Sequence, residues 1–289
     1  MSSIEEVALR AKVSVATVSR VINKKTNVSE ATRQKVLEAI ELLKYQPNAL
    51  GVLLRKEFTN MVLVLLNSVD NPFFSDIVKG IESVALEHDY TVLISTTYGD
   101  KEREKKYLEL LQHHYVDGAL LITNTLSRKD IDDLNDQYPI AQILEYVSES
   151  KAVHFSIDFY ALSVTILEDL IQKGKKKIFF FLMFFIDIIS THQKYQAYID
   201  TLTKHQLPIL TKSLESYEFG IESGKKIAQQ ALKDQIIDAF FVSSDLTALG
   251  VLEEVKKRHY RVPEEIAITG FDNTIFSQLS EPALSSAEV

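Results

Sequence analysis

A chain of 289 residues is long enough for two or three compact units. Its 46% hydrophobic and 25% charged content is that of an ordinary globular protein, and the lack of cysteine excludes disulfides, thiolate metal sites and cysteine nucleophiles. The net charge of −8 hides a division: residues 1–58 carry ten Lys/Arg against six Asp/Glu, whereas the other 231 carry 22 against 34. A basic head on an acidic body is expected where only the head approaches phosphates, although a net of +4 also arises on solvated helices that bind nothing. The opening MSSIEEVALR lacks the basic start and apolar core of a secretory signal. The most apolar run, residues 178–189, contains an Asp and is too short to cross a bilayer. A cytoplasmic protein without membrane contact is expected.

Three short helical patterns fill the first sixty residues. Ser3 and Glu6 make a capping-box signature, with Ile4, Val7, Ala8 and Ala11 following at helical spacing. A break at Lys12-Val13 leads to Ser14, a good N-cap, and to a second run with Val18, Val21 and Ile22 on one side. Ser29 caps a third run in which Val36, Ile40 and Leu43 share a face. Two short helices and a tight turn, backed by a third helix, fit a helix-turn-helix reader; a three-helix bundle with no DNA role fits the same spacing. In the second helix the apolar stripe belongs to the core, which leaves Val15, Ala16, Thr17, Ser19 and Arg20 for solvent. Small residues let such a helix sink into the major groove, where Arg20 can bond guanine edges or phosphate and Val15 or Ala16 can touch a thymine methyl. The hydroxyls of Thr17 and Ser19 suit phosphate oxygens. Ser14 and Asn23, at the two ends of this helix, complete the candidate set.

The stretch IEEVALRAKVSVATVSRVINKKTNVSEATRQKVLEAIELLKYQPNAL resembles the N-terminal signature of the lactose/galactose repressor (LacI/GalR) family. The matching pieces, VA, VSxATVSRVIN, VSEATRQKV and YQPN, lie in order and at the family's spacing. The resemblance implies an all-α helix-turn-helix domain over 1–46, a hinge segment over 47–60 and an effector-binding and dimerisation core over 61–289. Lys12 stands where the family places Gly in the turn, at a cost of about 1 kcal/mol for a left-handed residue. In the family the hinge folds into a short helix when two copies meet in the minor groove and wedge Leu side chains between base pairs. Leu54 matches the wedging position, and Asn48 and Arg55 flank it; Gly51 weakens such a helix by about 1 kcal/mol, and Val52 replaces a basic residue. A homodimer on double-stranded operator DNA is the implied assembly.

Beyond residue 60, apolar runs at 61–66, 90–95, 118–123, 140–144, 153–157, 177–182, 239–242 and 266–269 alternate with helical patterns at 74–88, 101–114, 161–172, 193–205, 219–232 and 246–258. This alternation predicts parallel sheets covered by helices, which bind ligands at the carboxyl ends of their strands. The loops there hold Asn71, Phe73, Phe74, Thr123, Asn124, Asp158, Ser243, Ser244, Asp245, Asp272 and Asn273. Read from position alone, Asp245 caps a helix or faces a ligand, Asp272 shapes a turn or faces a ligand, and the two phenylalanines stack on a ligand or join the core.

The family resemblance continues through DNPFFSDIVKGIES, VDGALLI, SDLTALGVLEEV and RVPEEIAITGFDN. It implies a periplasmic-binding-protein-like α/β core of two parallel-sheet subdomains with an effector cleft between them. In that cleft Phe73 or Phe74 would stack on a sugar or base ring, Asp158, Asp245 and Asp272 would accept from hydroxyls, and Lys194 would stand where an Arg commonly clamps the effector. Residues 159–200 depart from the pattern, with Phe159 for Asn, Lys175 for His and a Phe-rich run where a Gly loop is usual. PALSSAEV resembles a segment that lies well before the family's usual terminus, which gives an expectation of missing C-terminal elements, exposed apolar faces and lowered stability.

The expected function is a sequence-specific repressor that responds to a sugar or nucleoside and needs no cofactor. A solute-binding protein would lack the N-terminal reader, and a decayed or truncated paralogue would lack the effector response. No G-x-G-x-x-G, P-loop or H-E-x-x-H occurs, and His113-His114 falls at a helix end, so an enzyme is not expected.

Overall fold

The computed structural model describes residues 2–46, 58–122, 125–182, 188–213, 220–234 and 236–289, which divide into two units, Met1–Thr59 and Asn60–Val289. The first unit holds α1 (Ile4–Ala11), α2 (Val15–Ile22) and α3 (Glu30–Leu43). Each opens on the expected serine. Ser3 and Glu6 form the capping box, and the hydroxyls of Ser14 and Ser29 accept from the amides of Thr17 and Thr32; caps of this kind contribute about 1 kcal/mol each. Val7, Ala8, Ala11, Val18, Val21, Val36 and Ala39 make the core, with Ile22, Ile40 and Leu43 packed at its edge. Lys12 takes the left-handed conformation, φ 55° and ψ 46°, so that its amide can close α1 on the carbonyls of Ala8 and Leu9.

The second unit begins with β1 (Met61–Leu66), α4 (Pro72–Glu87), β2 (Thr91–Thr96), α5 (Lys101–Gln112), β3 (Gly118–Leu121), α6 (Arg128–Asn135), β4 (Ile140–Ile143) and β5 (Val153–Phe155). These give a parallel sheet in the order β2-β1-β3-β4-β5. There follow α7 (Phe159–Gln172), β6 (Ile178–Leu182), α8 (Ile189–Lys204), β7 (Leu210–Ser213), α9 (Ile221–Asp234), β8 (Ala239–Phe241), α10 (Asp245–Lys257), β9 (Ala267–Phe271), α11 (Ile275–Leu279) and β10 (Ser285–Ala287). Their strands form a second parallel sheet, β10-β9-β8-β6-β7.

Unbroken apolar strands are what a sheet covered on both faces demands. In β1, Leu63 and Leu65 enter one core while Val64 and Leu66 enter the other. In β6, Phe179 and Phe181 oppose Ile178 and Phe180 in the same way. The helices α9 and α10 cross closely: a Cβ on Gly250 would lie 1.9 Å from the Ile221 carbonyl oxygen, and one on Gly224 would lie 2.0 Å from that of Thr247. Four elements, α6, β7, α11 and β10, were not expected from the sequence. α6 reads RKDIDDLN and buries only Ile131 fully, so it carries almost no apolar period. β7 and β10 are short edge strands rich in small and polar residues. The expected helix starts at 161 and 193 move to Phe159 and Ile189, and the last long strand shifts from 266–269 to Ala267–Phe271.

Candidate DNA-reading helix and effector cleft

In α2 the pattern of exposure follows the expected division. Val18 and Val21 are buried, Ser14, Val15, Ala16, Arg20 and Asn23 are exposed, and Thr17 and Ser19 are half-buried. Four of the polar side chains, Ser14, Thr17, Ser19 and Asn23, are already engaged along the helix. The Ser14 and Thr17 hydroxyls lie 2.9 Å apart, and Asn23 donates its side-chain amide to the Ser19 carbonyl at 2.8 Å and hydroxyl at 3.3 Å. Asn23 therefore serves the helix end first. Arg20, Val15 and Ala16 have no such commitment and form the outward face. Asn48, Leu54 and Arg55, with Gly51 and Val52, lie outside the described residues, as do Thr123 and Asn124.

The effector candidates separate into those the fold brings together and those it keeps apart. Asn71, five residues past β1, caps α4 through its side-chain oxygen to the Phe73 amide, and its Nδ2 donates to Asp272 Oδ2 at 3.4 Å. Asp272 directly follows β9, so this bond joins the carboxyl ends of a strand in each sheet. The Asp272 backbone is held in a strained left-handed turn, φ 95°, by a hydrogen bond from its amide to the Ala287 carbonyl in β10. Burial pushes its carboxyl group up to about 6, a rise that Lys194 opposes and Asp245 reinforces.

Lys194 is buried within its own subdomain rather than extended as a clamp. Its Nζ donates to the Ser243 carbonyl at 3.2 Å and lies 3.9 Å from the Phe271 ring centre and 4.9 Å from that of Phe159. Burial lowers its pKa while Asp272 and Glu145 act against that change. Glu145, two residues past β4, was not singled out in the sequence. It accepts from the Ser190 amide at 3.2 Å, a second bond between the two subdomains, and burial raises its pKa. Its position after a strand was the available signal.

The other two aspartates bond to groups of the protein itself. Ser244, not Asp245, caps α10. Asp245 is completely buried and its carboxylate accepts from the Thr274 amide at 2.6 Å, the Thr274 hydroxyl at 2.8 Å and the Ser286 hydroxyl at 2.6 Å. It ties α10 to the start of α11 and to β10. Asp158 is exposed and caps α7 through the Ala161 amide at 2.8 Å. Phe74 packs into the core beneath β1, whereas Phe73 is half-buried beside it, ring centres 5.5 Å apart, and joins no apolar cluster among the described residues.

Residues 3–48 match the model for bacterial regulatory proteins of the lacI family, and residues 167–289 match a periplasmic binding protein-like domain. The chain is 31% identical to the ribose operon repressor of Halalkalibacterium halodurans over 100% of its own length and 85% of the relative's. It is likewise 31% identical to catabolite control protein A of Priestia megaterium, over 98% of this chain and 86% of that one. In fold it resembles the lac repressor dimer bound to operator and the anti-inducer ONPF, with a TM-score of 0.84 at 23% identity, covering 100% of this chain and 87% of that chain. No helix among the described residues is long and apolar enough to cross a membrane. The chain belongs to the lacI family of bacterial regulatory proteins and is a DNA-binding transcription regulator.

Proposed function

We propose that this regulator is a cytoplasmic repressor that binds a two-fold symmetric operator as a homodimer and alters its grip when a small polyhydroxylated effector, a sugar or nucleoside, enters between its two sheets. The observation that carries the effector half is the Asn71–Asp272 hydrogen bond. It is a polar contact between the two subdomains at the strand ends where parallel sheets take ligands, and a ligand hydroxyl can take the place of either partner. A ligand that binds both sides favours one relative arrangement of the subdomains, and its differential affinity sets how far the balance moves.

The DNA half rests on α2, where Arg20, Val15 and Ala16 face solvent above the buried pair Val18 and Val21. A guanidinium reads guanine bidentately, and small apolar groups suit thymine methyls. Ser14, Thr17 and Ser19 are the groups assigned to backbone phosphates, with Asn23 shaping the helix end. Asn48, Leu54 and Arg55 remain the candidates for a minor-groove contact. In the cleft, Asn71, Phe73 and Asp272 are the groups assigned to the effector, with Lys194 acting as the buried counter-charge. Asp158, Asp245 and Phe74 serve chiefly to hold their own elements.

Selection of bound duplexes from a random library by the full chain tests the reading, since a dimer of this kind should enrich a palindrome. Melting and operator affinity are then followed across a panel of sugars and nucleosides. Enrichment of no sequence would overturn the operator half, and a panel that shifts neither melting nor affinity would overturn the sensing half.

A further inference from the structure

Among the described residues of the helical unit, every lysine and arginine is exposed except Arg33, whose side chain is only 23% exposed. Arg33 stands in the first turns of α3, and its Nη2 reaches back eight residues to donate to the Lys25 carbonyl at 2.8 Å. Lys25 is where α2 is closed off. Lys24 turns left-handed, φ 54°, and the amides of Lys24 and Lys25 return to the carbonyls of Val21 and Arg20 at 3.0 Å each, as a left-handed turn does at a helix end. Lys25 therefore carries two ties: its amide holds the Arg20 carbonyl, and its own carbonyl is held by Arg33. The backbone of the residue assigned to guanine is two hydrogen bonds away from a guanidinium on another helix.

The reading helix has reason to need such a brace. Of its eight residues only Val18 and Val21 are buried. A short helix anchored chiefly by two side chains can roll, and a small roll carries the end of a long arginine away from a base edge. A charged donor ties a carbonyl more firmly than a neutral one, and the planar guanidinium loses less freedom in doing so than an ammonium group. Arg33 is poorly set to meet DNA itself, because Glu30 Oε2 lies 3.8 Å from its Nε and offsets its charge on the solvent side.

We propose that Arg33 is a positioning residue for operator recognition, which holds the end of α2 through the Lys25 carbonyl and so fixes the backbone from which Arg20 reads. This rests on the reading of α2 given above. The test measures the full chain by fluorescence anisotropy on the selected operator and on a scrambled duplex of equal length, across a salt series and below the melting midpoint of every variant. Arg33→Met, which keeps the stem and loses the donors, should bind the operator roughly tenfold more weakly and the scrambled duplex almost as the parent does. In an Arg20→Ala background the same change should cost little more, because residues that act through one another are not additive. Equal losses on both duplexes, with a salt slope lower by about 0.9 for each lost contact, would make Arg33 a phosphate contact and overturn the proposal. A lower melting midpoint with unchanged operator preference would make it a structural tie and overturn it too, as would full additivity with Arg20→Ala. Should Arg33→Met fail to fold, Arg33→Lys decides: it keeps the charge without the planar fork, and a weakened operator preference supports the brace, whereas the parent's preference overturns it. Arg20→Ala that costs nothing by itself would instead bring down the reading of α2.

Discussion

The helical reader and the effector cleft are assembled from opposite kinds of contact. In the reader each serine cap meets an amide three residues further on, and the turn at Lys12 closes within one helix. In the cleft, Asn71 meets Asp272 across 201 residues of sequence and Glu145 meets Ser190 across 45. Local contacts are cheap to order and fail one at a time. Contacts between distant elements depend on a packed scaffold, and one buried residue can hold several loops in place. Substitutions behind the cleft should therefore cost more than substitutions in the reader.

The largest effect is expected at Asp245. Asp245→Ala strands the Thr274 amide, the Thr274 hydroxyl and the Ser286 hydroxyl in a buried place, and should lower unfolding free energy by about 3 kcal/mol or more in urea titration. A loss below about 1 kcal/mol would show that the latch is dispensable. Next is Gly250→Ala, whose new methyl would collide with the Ile221 carbonyl. The helices α9 and α10 must then separate, which costs about 1–3 kcal/mol and should appear as a lower melting midpoint for the α/β unit.

Asp272 gives a smaller effect with a pH signature. Its folded-state pKa is raised to about 6, above the ordinary carboxylate value. The folded chain therefore keeps a proton that the unfolded chain has lost, and this stability is present at low pH and disappears as pH rises from about 4 to 6. Asp272→Asn removes that loss. It should melt higher than the parent above pH 6, by about 1–2 kcal/mol, and close to the parent near pH 4, while effector affinity falls about tenfold. Parallel pH profiles for the two chains would contradict the burial account. The smallest change is Lys12→Gly in the reader, where relief of the left-handed lysine should add about 1 kcal/mol to the helical unit; no gain in its melting would show that the turn is unstrained.

The same contrast governs how much could be read in advance. Serine caps and helical apolar spacing placed α1, α2 and α3, because both signals lie within a few residues. Runs such as MVLVLL announced strands buried on both faces, and their alternation with helices announced parallel sheets. Where a side chain turns was less legible. Ser243-Ser244-Asp245 offers several candidate caps, and only the packing of Thr274 and Ser286 against Asp245 leaves Ser244 at the helix start. Asp158 and Glu145 both follow apolar runs. The first is consumed by its own helix and the second meets another subdomain, a difference set by the distant residue Ser190. Elements with little apolar surface, α6 and β10 among them, exist because their neighbours are already in place.

The account stands most directly on the reader's outward face. Once a palindromic operator has been selected, fluorescence anisotropy at one fixed salt concentration compares the parent chain with Arg20→Ala on that duplex and on one altered at a single base step per half-site. The account predicts that Arg20→Ala loses about 1–3 kcal/mol of affinity for the operator and no longer distinguishes the two duplexes. Equal affinity and unchanged discrimination in the variant would contradict it.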